Sequence, residues 1–444
     1  MTRKWVAATG SLVSLLVMVG LSSRPATAQA AQQTQEQKPS YTIAEYNAFQ
    51  ACRGEKDPQA RLKLLDDFVA KFPNSTLMQY IDQFYFDTYG QLKNYPKVIE
   101  YADKLLALGD KLPLEARINI AYTRSATFPV IFNPKDSNAA TEISSARTAA
   151  DLGLKLLGGW QKPQNLTDDQ YNQQKKLAAT TFYNAAGFAA LQQKDYKAAV
   201  DYFKGSLGNT PNDPITYYRL GLSYLLQDPP QNMDGFWALA RSIALKGPGE
   251  AQVRDYLKKR LLNYQQPGCD NLIDSQMNEL IQLATTSPDR PANYTIPSAD
   301  DLTKVRQSST ILTVLADLKG GGDKAKLTWL ALCGSEFPEV VGKIIDVTSD
   351  ADAVDFKVFT GATEDEMQAA TTPNMDVKVS GQPEVSRLQK DDGIRFSGTL
   401  ASYDPEPFAL HWDKVKVDPT IIPEEKPAAG KPRRRIPPKK PPQP

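Results

Sequence analysis

Apolar residues recur at helical spacing through the first two thirds of the chain and at every second position near its end. Between Tyr41 and Lys246 the apolar runs come in pairs divided by polar turns, which predicts helical hairpins. The segments Lys56 to Ser75, Lys93 to Lys111 and Gln192 to Asp213 align as second helices of such hairpins. Each begins at a polar turn and carries apolar positions such as Val98, Tyr101, Ala102 and Leu105. About five hairpins are expected, with NPKD at Asn133 to Asp136 and DPPQNMDG at Asp228 to Gly235 as long or inserted turns. Helices at Glu250 to Tyr264 and Asn271 to Ala284 are expected to cap the stack with a polar outer face. The stretch Thr285 to Ser298 is too rich in Pro for a helix interior and marks a boundary. Helix returns from Ala299 to Leu318, Gly320 to Gly322 interrupt it, and an apolar run follows through Leu332. From Val340 the pattern alternates in five candidate strands, with a short helix at Pro383 to Gln389, as in a small barrel.

One order of residues repeats. Tyr183, Ala186, Gly187 and Ala190 are followed by Ala199, Phe203 and Pro211, and thirty-four residues after Tyr183 and Gly187 stand Tyr217 and Gly221. This resembles the tetratricopeptide repeat, W-x-x-L-G-x-x-Y followed by A-x-x-x-F and Pro. In such a pattern the Gly lets two helices approach, the Ala sits opposite it, and aromatics fill the gaps between hairpins. The strands GKIIDV, LQKDDGIRFSGTLASYD and FALHWDKVKV are similar to OB-like domains at the ends of bacterial envelope proteins. The resulting fold class is mainly α: a tetratricopeptide-type solenoid followed by a five-stranded OB-like β-barrel.

The ends of the chain bear on its location. Arg3 and Lys4 precede an apolar run, and Ala26, Ala28 and Ala30 form an A-x-A site, the layout of a secretory signal peptide. An uncleaved anchor is the alternative, since Trp5 to Leu21 is long enough to span a bilayer. The expected organisation is a signal peptide over residues 1–30, a polar leader over 31–40, the solenoid over 41–284 and a linker with connecting helices over 285–339. The barrel then covers 340–417 and a basic, Pro-rich, disordered tail covers 418–444. The exported chain is expected in the periplasm or at the cell envelope. Of the three cysteines, Cys52 lies on an inner helix face, and the pairing of Cys269 with Cys333 is left open.

Charge and chemistry narrow the function. With 52 basic and 51 acidic residues, no net field draws the chain to a polyanion. The tail residues Lys426, Lys431, Arg433, Arg434, Arg435, Lys439 and Lys440 could meet an anionic envelope surface weakly. His411 is the single histidine, without a nucleophile motif such as G-x-S-x-G, and reads as a packing or surface residue. Asp350, Asp352 and Asp355 lack the glycine and distal Glu of a calcium loop, and GGGDKAK lacks the parts of a phosphate loop. No enzyme, metal or cofactor is expected. The resemblance implies instead a concave groove lined by first helices, formed by Asn184, Phe188, Gln192, Tyr218, Leu222 and Leu225. Asn184 would bond a peptide backbone and Tyr218 would anchor an apolar side chain. The expected function is a scaffold or adaptor that binds a polypeptide partner. The alternative is a barrel that recognises a glycan or nucleic acid through Phe356, Phe359, Phe396 or Trp412, with the solenoid as spacer. Nucleic acid is the less expected ligand, because the barrel's lysines and arginines are interleaved with acids.

Overall fold

The computed structural model describes residues 40–350 and 352–424. The expected signal peptide, the leader through Pro39 and the part of the expected tail from Glu425 lie outside the described residues. The tail's first residues, 418–424, are ordered instead, with a 3-10 turn at Pro419–Ile421 and with Ile421 and Ile422 packed on the barrel core. The chain divides into two compact units, residues 40–258 with 277–294 and residues 259–276 with 295–424. Among the described residues no helix is long and apolar enough to cross a membrane.

The first unit is a stack of helical hairpins. They pair α1 (Ile43–Gly54) with α2 (Pro58–Lys71), α3 (Met78–Gln91) with α4 (Tyr95–Leu106), and α5 (Leu114–Ile131) with α6 (Ala139–Gly159). Two more pair α7 (Asp168–Gln192) with α8 (Tyr196–Asn209) and α9 (Pro214–Leu225) with α10 (Asn232–Ala244). The helices α11 (Glu250–Gln265) and α12 (Leu272–Thr286) follow, and the division between the units falls within them. Polar residues start the helices as caps: Asp57, Asn94, Asp195 and Asp213 each accept a hydrogen bond from a backbone N–H of the first turn.

The hairpin turns reveal the repeat in the backbone. Lys93 and Lys194 both take a left-handed conformation, at φ 53° and 64°. In each case the next residue's N–H reaches back 2.9 Å, Asn94 to the Tyr89 carbonyl and Asp195 to the Ala190 carbonyl. Those bonds satisfy carbonyls that the helix end leaves open. Superposing the two turns puts Asp87 at the position of Phe188. Ala199 and Phe203, the A-x-x-x-F pair, are fully buried, and a Cβ on Gly187 would stand only 2.7 Å from a Phe203 ring carbon.

Polar residues are also built into this core. Arg124 is fully buried, with Asp103 at 2.9 Å from α4 and Glu142 at 2.9 Å from α6. Arg241 donates to the Ala284 and Thr285 carbonyls at 2.7 and 3.0 Å, which caps the end of α12. The Pro-rich boundary segment continues onto α10, where the Trp237 indole N–H meets the Pro288 carbonyl at 3.3 Å and Arg290 pairs with Asp234 at 3.0 Å.

The second unit contains a closed barrel. Its strands are β1 (Glu336–Ser349), β2 (Ala353–Phe359), β3 (Met375–Ser380), β4 (Gly393–Pro405) and β5 (Phe408–Val417). They close in the order β1-β2-β3-β5-β4, with β3 and β5 parallel and the other four pairs antiparallel. This is the connectivity of an OB-like barrel. β1 serves two neighbours by way of an irregularity between Ile344 and Asp346. At Gly342 no Cβ fits, since it would meet Val358 Cγ1 at 2.5 Å and the Phe359 carbonyl at 2.7 Å.

Three expectations need correction. The first strand begins at Glu336 rather than Val340. The connecting helices expected within the linker 285–339 are part of the second unit's core instead: α13 (Ala299–Ser308), α14 (Ile311–Gly320) and α15 (Gly322–Leu332) bury Leu302, Val314, Leu315, Leu318 and Leu330 with the barrel. The short helix before β4 is a 3-10 turn, Pro383–Arg387, and the sequence reading missed α16 (Glu364–Ala369) between β2 and β3. The open cysteine question is also answered: Cys269 and Cys333 form a disulfide across 5.5 Å between Cα atoms. Arg306 holds both flanks of that bridge, donating to the Ala331 carbonyl at 2.9 Å and the Gln266 carbonyl at 2.6 Å. Cys52 is a buried free thiol, as its helix face implies.

Candidate partner-binding groove

In a stack of hairpins the first helices line one side, and here α5 packs on α7 and α7 on α9. Helical geometry places Asn184, Phe188 and Gln192 on one stripe of α7, because successive residues turn by about 100°. All three are half-buried. Phe188 lies 5.5 Å from the Phe128 ring and 5.8 Å from the Phe132 ring, which fixes it against α5. Its burial therefore has a packing cause as well as an exposed remainder. Asn184 is joined to the next hairpin, its Oδ1 accepting from Thr216 Oγ1 at 2.9 Å. The Asn184 amide nitrogen and the Gln192 side chain make no hydrogen bond among the described residues.

The α9 residues divide. Tyr218 and Leu222 are half-buried. Leu225 is 3% exposed and packs beside Gly235 of α10, so it belongs to the hairpin core and cannot meet a partner. The groove position is Leu226, which is 42% exposed and stands thirty-four residues after Gln192. The repeat spacing itself carried that signal. The inserted turn after Leu226, with its cis Asp228–Pro229 bond, obscured it.

Charges at the groove were not anticipated. Arg219 extends over Phe188, with its guanidinium carbon 4.7 Å from the ring centroid. Burial holds the Arg219 pKa below the usual arginine value, while Asp213 and Tyr218 act in the opposite direction. Burial likewise raises the Tyr218 phenol, with a further contribution from Tyr256 and an opposing one from Arg219. On α3, Asp87 occupies the position equivalent to Phe188. It is exposed yet hemmed in by protein, and burial pushes its carboxyl up to about 6 against the pull of Arg61.

A second depression, about 520 Å³, lies between α6, α7 and α8 and includes Leu154, Leu157, Lys175, Lys176, Tyr183 and Asn209. Tyr183, Ala179 and Lys176 sit about 100–160° around α7 from the middle of the Asn184–Phe188 stripe, so it is a separate surface that carries more charge.

The barrel's candidate aromatics point inward. Phe356, Phe396 and Trp412 are at most 3% exposed, and Phe359 alone of the four is half-buried. The outer face of β2 and β3 pairs its charges, with Lys357 Nζ 2.7 Å from Asp376 and Asp355 in register with Lys378. A base-stacking platform in a basic channel needs the opposite arrangement. His411 lies on that surface, with Nε2 2.9 Å from Asp404 and Nδ1 3.7 Å from Asp376. Among the described residues no group of three or more His, Cys, Asp or Glu side chains is placed to hold a metal ion.

No known family model matches the chain, and no curated protein is similar to it at a significant level.

Proposed function

We propose that this chain is a non-enzymatic scaffold of the cell envelope that holds a polypeptide partner in the groove of its first helices. The hairpins resemble tetratricopeptide repeats, whose concave surfaces bind peptides by this geometry. The observation that carries the reading is the strip formed by Phe188, Tyr218, Leu222 and Leu226. These four large side chains remain half-buried or exposed, Phe188 on α7, Tyr218 and Leu222 on α9 and Leu226 just beyond it, although the faces beside them are closed by packing. Aromatic and apolar groups that keep their contact surface in a groove are the usual anchors for a partner. The Cys269–Cys333 disulfide accords with an oxidising compartment, and so with export. The barrel reading has weaker support, because its aromatics fill its own core.

The test is affinity capture from envelope extract, with the mature chain and its Tyr218→Asp variant as baits. Circular dichroism would first establish equal helicity. A set of polypeptides retained by the unmodified chain and lost by the variant is expected. Identical capture by both baits would remove the groove from consideration.

A further inference from the structure

Arg219 carries a charge into the groove with no direct ion pair among the described residues: Asp213 attracts it from a distance, but that carboxylate accepts hydrogen bonds from the Ile215 N–H and the Thr216 hydroxyl instead. The other enclosed arginines of this unit are all answered by oxygen. Arg124 has Asp103 and Glu142, Arg147 has Asp195 and Gln193, Arg241 has two carbonyls and Asn212, and Arg290 has Asp234 and the Tyr294 carbonyl. Arg219 has the ring of Phe188 at 4.7 Å and neither an ion pair nor a side-chain hydrogen bond among the described residues. A ring face meets the cation through its quadrupole but offers no oxygen to the five N–H donors. Burial lowers the basicity of this half-buried group against the pull of Asp213, so its charge is held at some cost. An anion arriving with a partner would offset that cost.

The surrounding groove narrows the kind of anion. Asn184, Phe188, Gln192, Tyr218, Leu222 and Leu226 are uncharged at neutral pH, so these groove positions bring no second cation to Arg219, and the charged side chain that acts on it is Asp213. One guanidinium matches one carboxylate, in a two-bond fork, better than it matches a doubly charged phosphate. We propose that Arg219 receives the side-chain carboxylate of an Asp or Glu within the bound polypeptide, and that apolar residues flanking this acid settle on Phe188 and Leu222. The groove thereby selects an acidic residue set among apolar ones. This inference rests on the groove reading above.

Random peptides displayed with their C-termini fused to a carrier would be selected on the full chain, so that only internal carboxylates are offered. An acidic residue flanked by apolar ones is expected to be enriched. Changing that acid to its amide should weaken binding by about tenfold or more, and Arg219→Gln should cause the same loss. In the Arg219→Gln background the acid-to-amide change should then have no further effect. Arg219→Lys keeps the charge without the fork and should fall between the two, which separates a lost contact from a lost fold. Selection of peptides without an acid, or of acidic peptides that bind Arg219→Gln as well, would overturn the inference and leave the groove intact. Selection that succeeds equally on Tyr218→Asp, or fails on the unmodified chain, would overturn the groove and the inference together.

Discussion

At Gly187 a methyl group would stand 2.7 Å from the Phe203 ring, and Phe203 is fully buried with no room to withdraw. Alanine is the better helix former by about 1 kcal/mol, but overpacking a closed core costs about 1–3 kcal/mol. Gly187→Ala should therefore lower stability by roughly 1 kcal/mol in urea unfolding, against the sign of its helix propensity. An unchanged or raised midpoint would show that the ring yields. A second residue pair tests the groove register. Leu225→Ala should cost about 2–5 kcal/mol of stability, because it opens a cavity against α10. Leu226→Ala should change stability by no more than about 0.5 kcal/mol and instead weaken partner capture. Reversal of those two results would return Leu225 to the groove.

Among the elements, α3 carries the site where pH should act. The Asp87 carboxyl is raised to about 6 in the folded chain from an ordinary value near 3.8. A raised folded value means the native state holds the proton more tightly. The associated stability is present below about pH 4, declines between there and pH 6, and is gone above. Ionised Asp87 thus opposes folding at neutral pH, although its solvent exposure discounts the effect to below about 1 kcal/mol. Asp87→Asn should raise the melting temperature at pH 7.5 and leave it unchanged near pH 3.5. A shift of equal size at both values would assign the effect to something other than ionisation. The elements themselves were largely legible in the sequence. Ala199, Phe203 and the polar turns before Asn94 and Asp195 announced the hairpins, and strict alternation over Val354, Phe356 and Val358 announced the barrel wall. Less legible was which apolar face meets which. Leu302, Val314 and Leu318 repeat at helical spacing whether they bridge two domains or complete the barrel's core, and only the fold decides. The Arg219–Phe188 contact was hidden for the same reason, since its members lie on different hairpins.

For the molecule as a whole, the bond between Cys269 and Cys333 ties its redox state to its place in the cell. Spacing could not establish the pairing, since three cysteines allow several and the contact joins residues 64 positions apart. Closing a loop of that length should stabilise the fold by about 4 kcal/mol, chiefly by restricting the unfolded chain. The bridge lies wholly within residues 259–276 and 295–424, where the Gly268 N–H also meets the Leu330 carbonyl at 2.9 Å. Its loss should therefore be felt in the unit that holds the barrel. In the Cys269→Ser, Cys333→Ser variant, amide exchange measured on peptides from residues 295–417 should accelerate, while peptides from residues 41–250 should be little changed. Thiol titration of the denatured, unreduced chain should find one reactive group, Cys52, and reduction should raise that to three. Three thiols before reduction, in chain recovered from the envelope, would mean that the bridge does not form there. They would also withdraw the support that it lends to export, leaving the groove to be judged on its own residues.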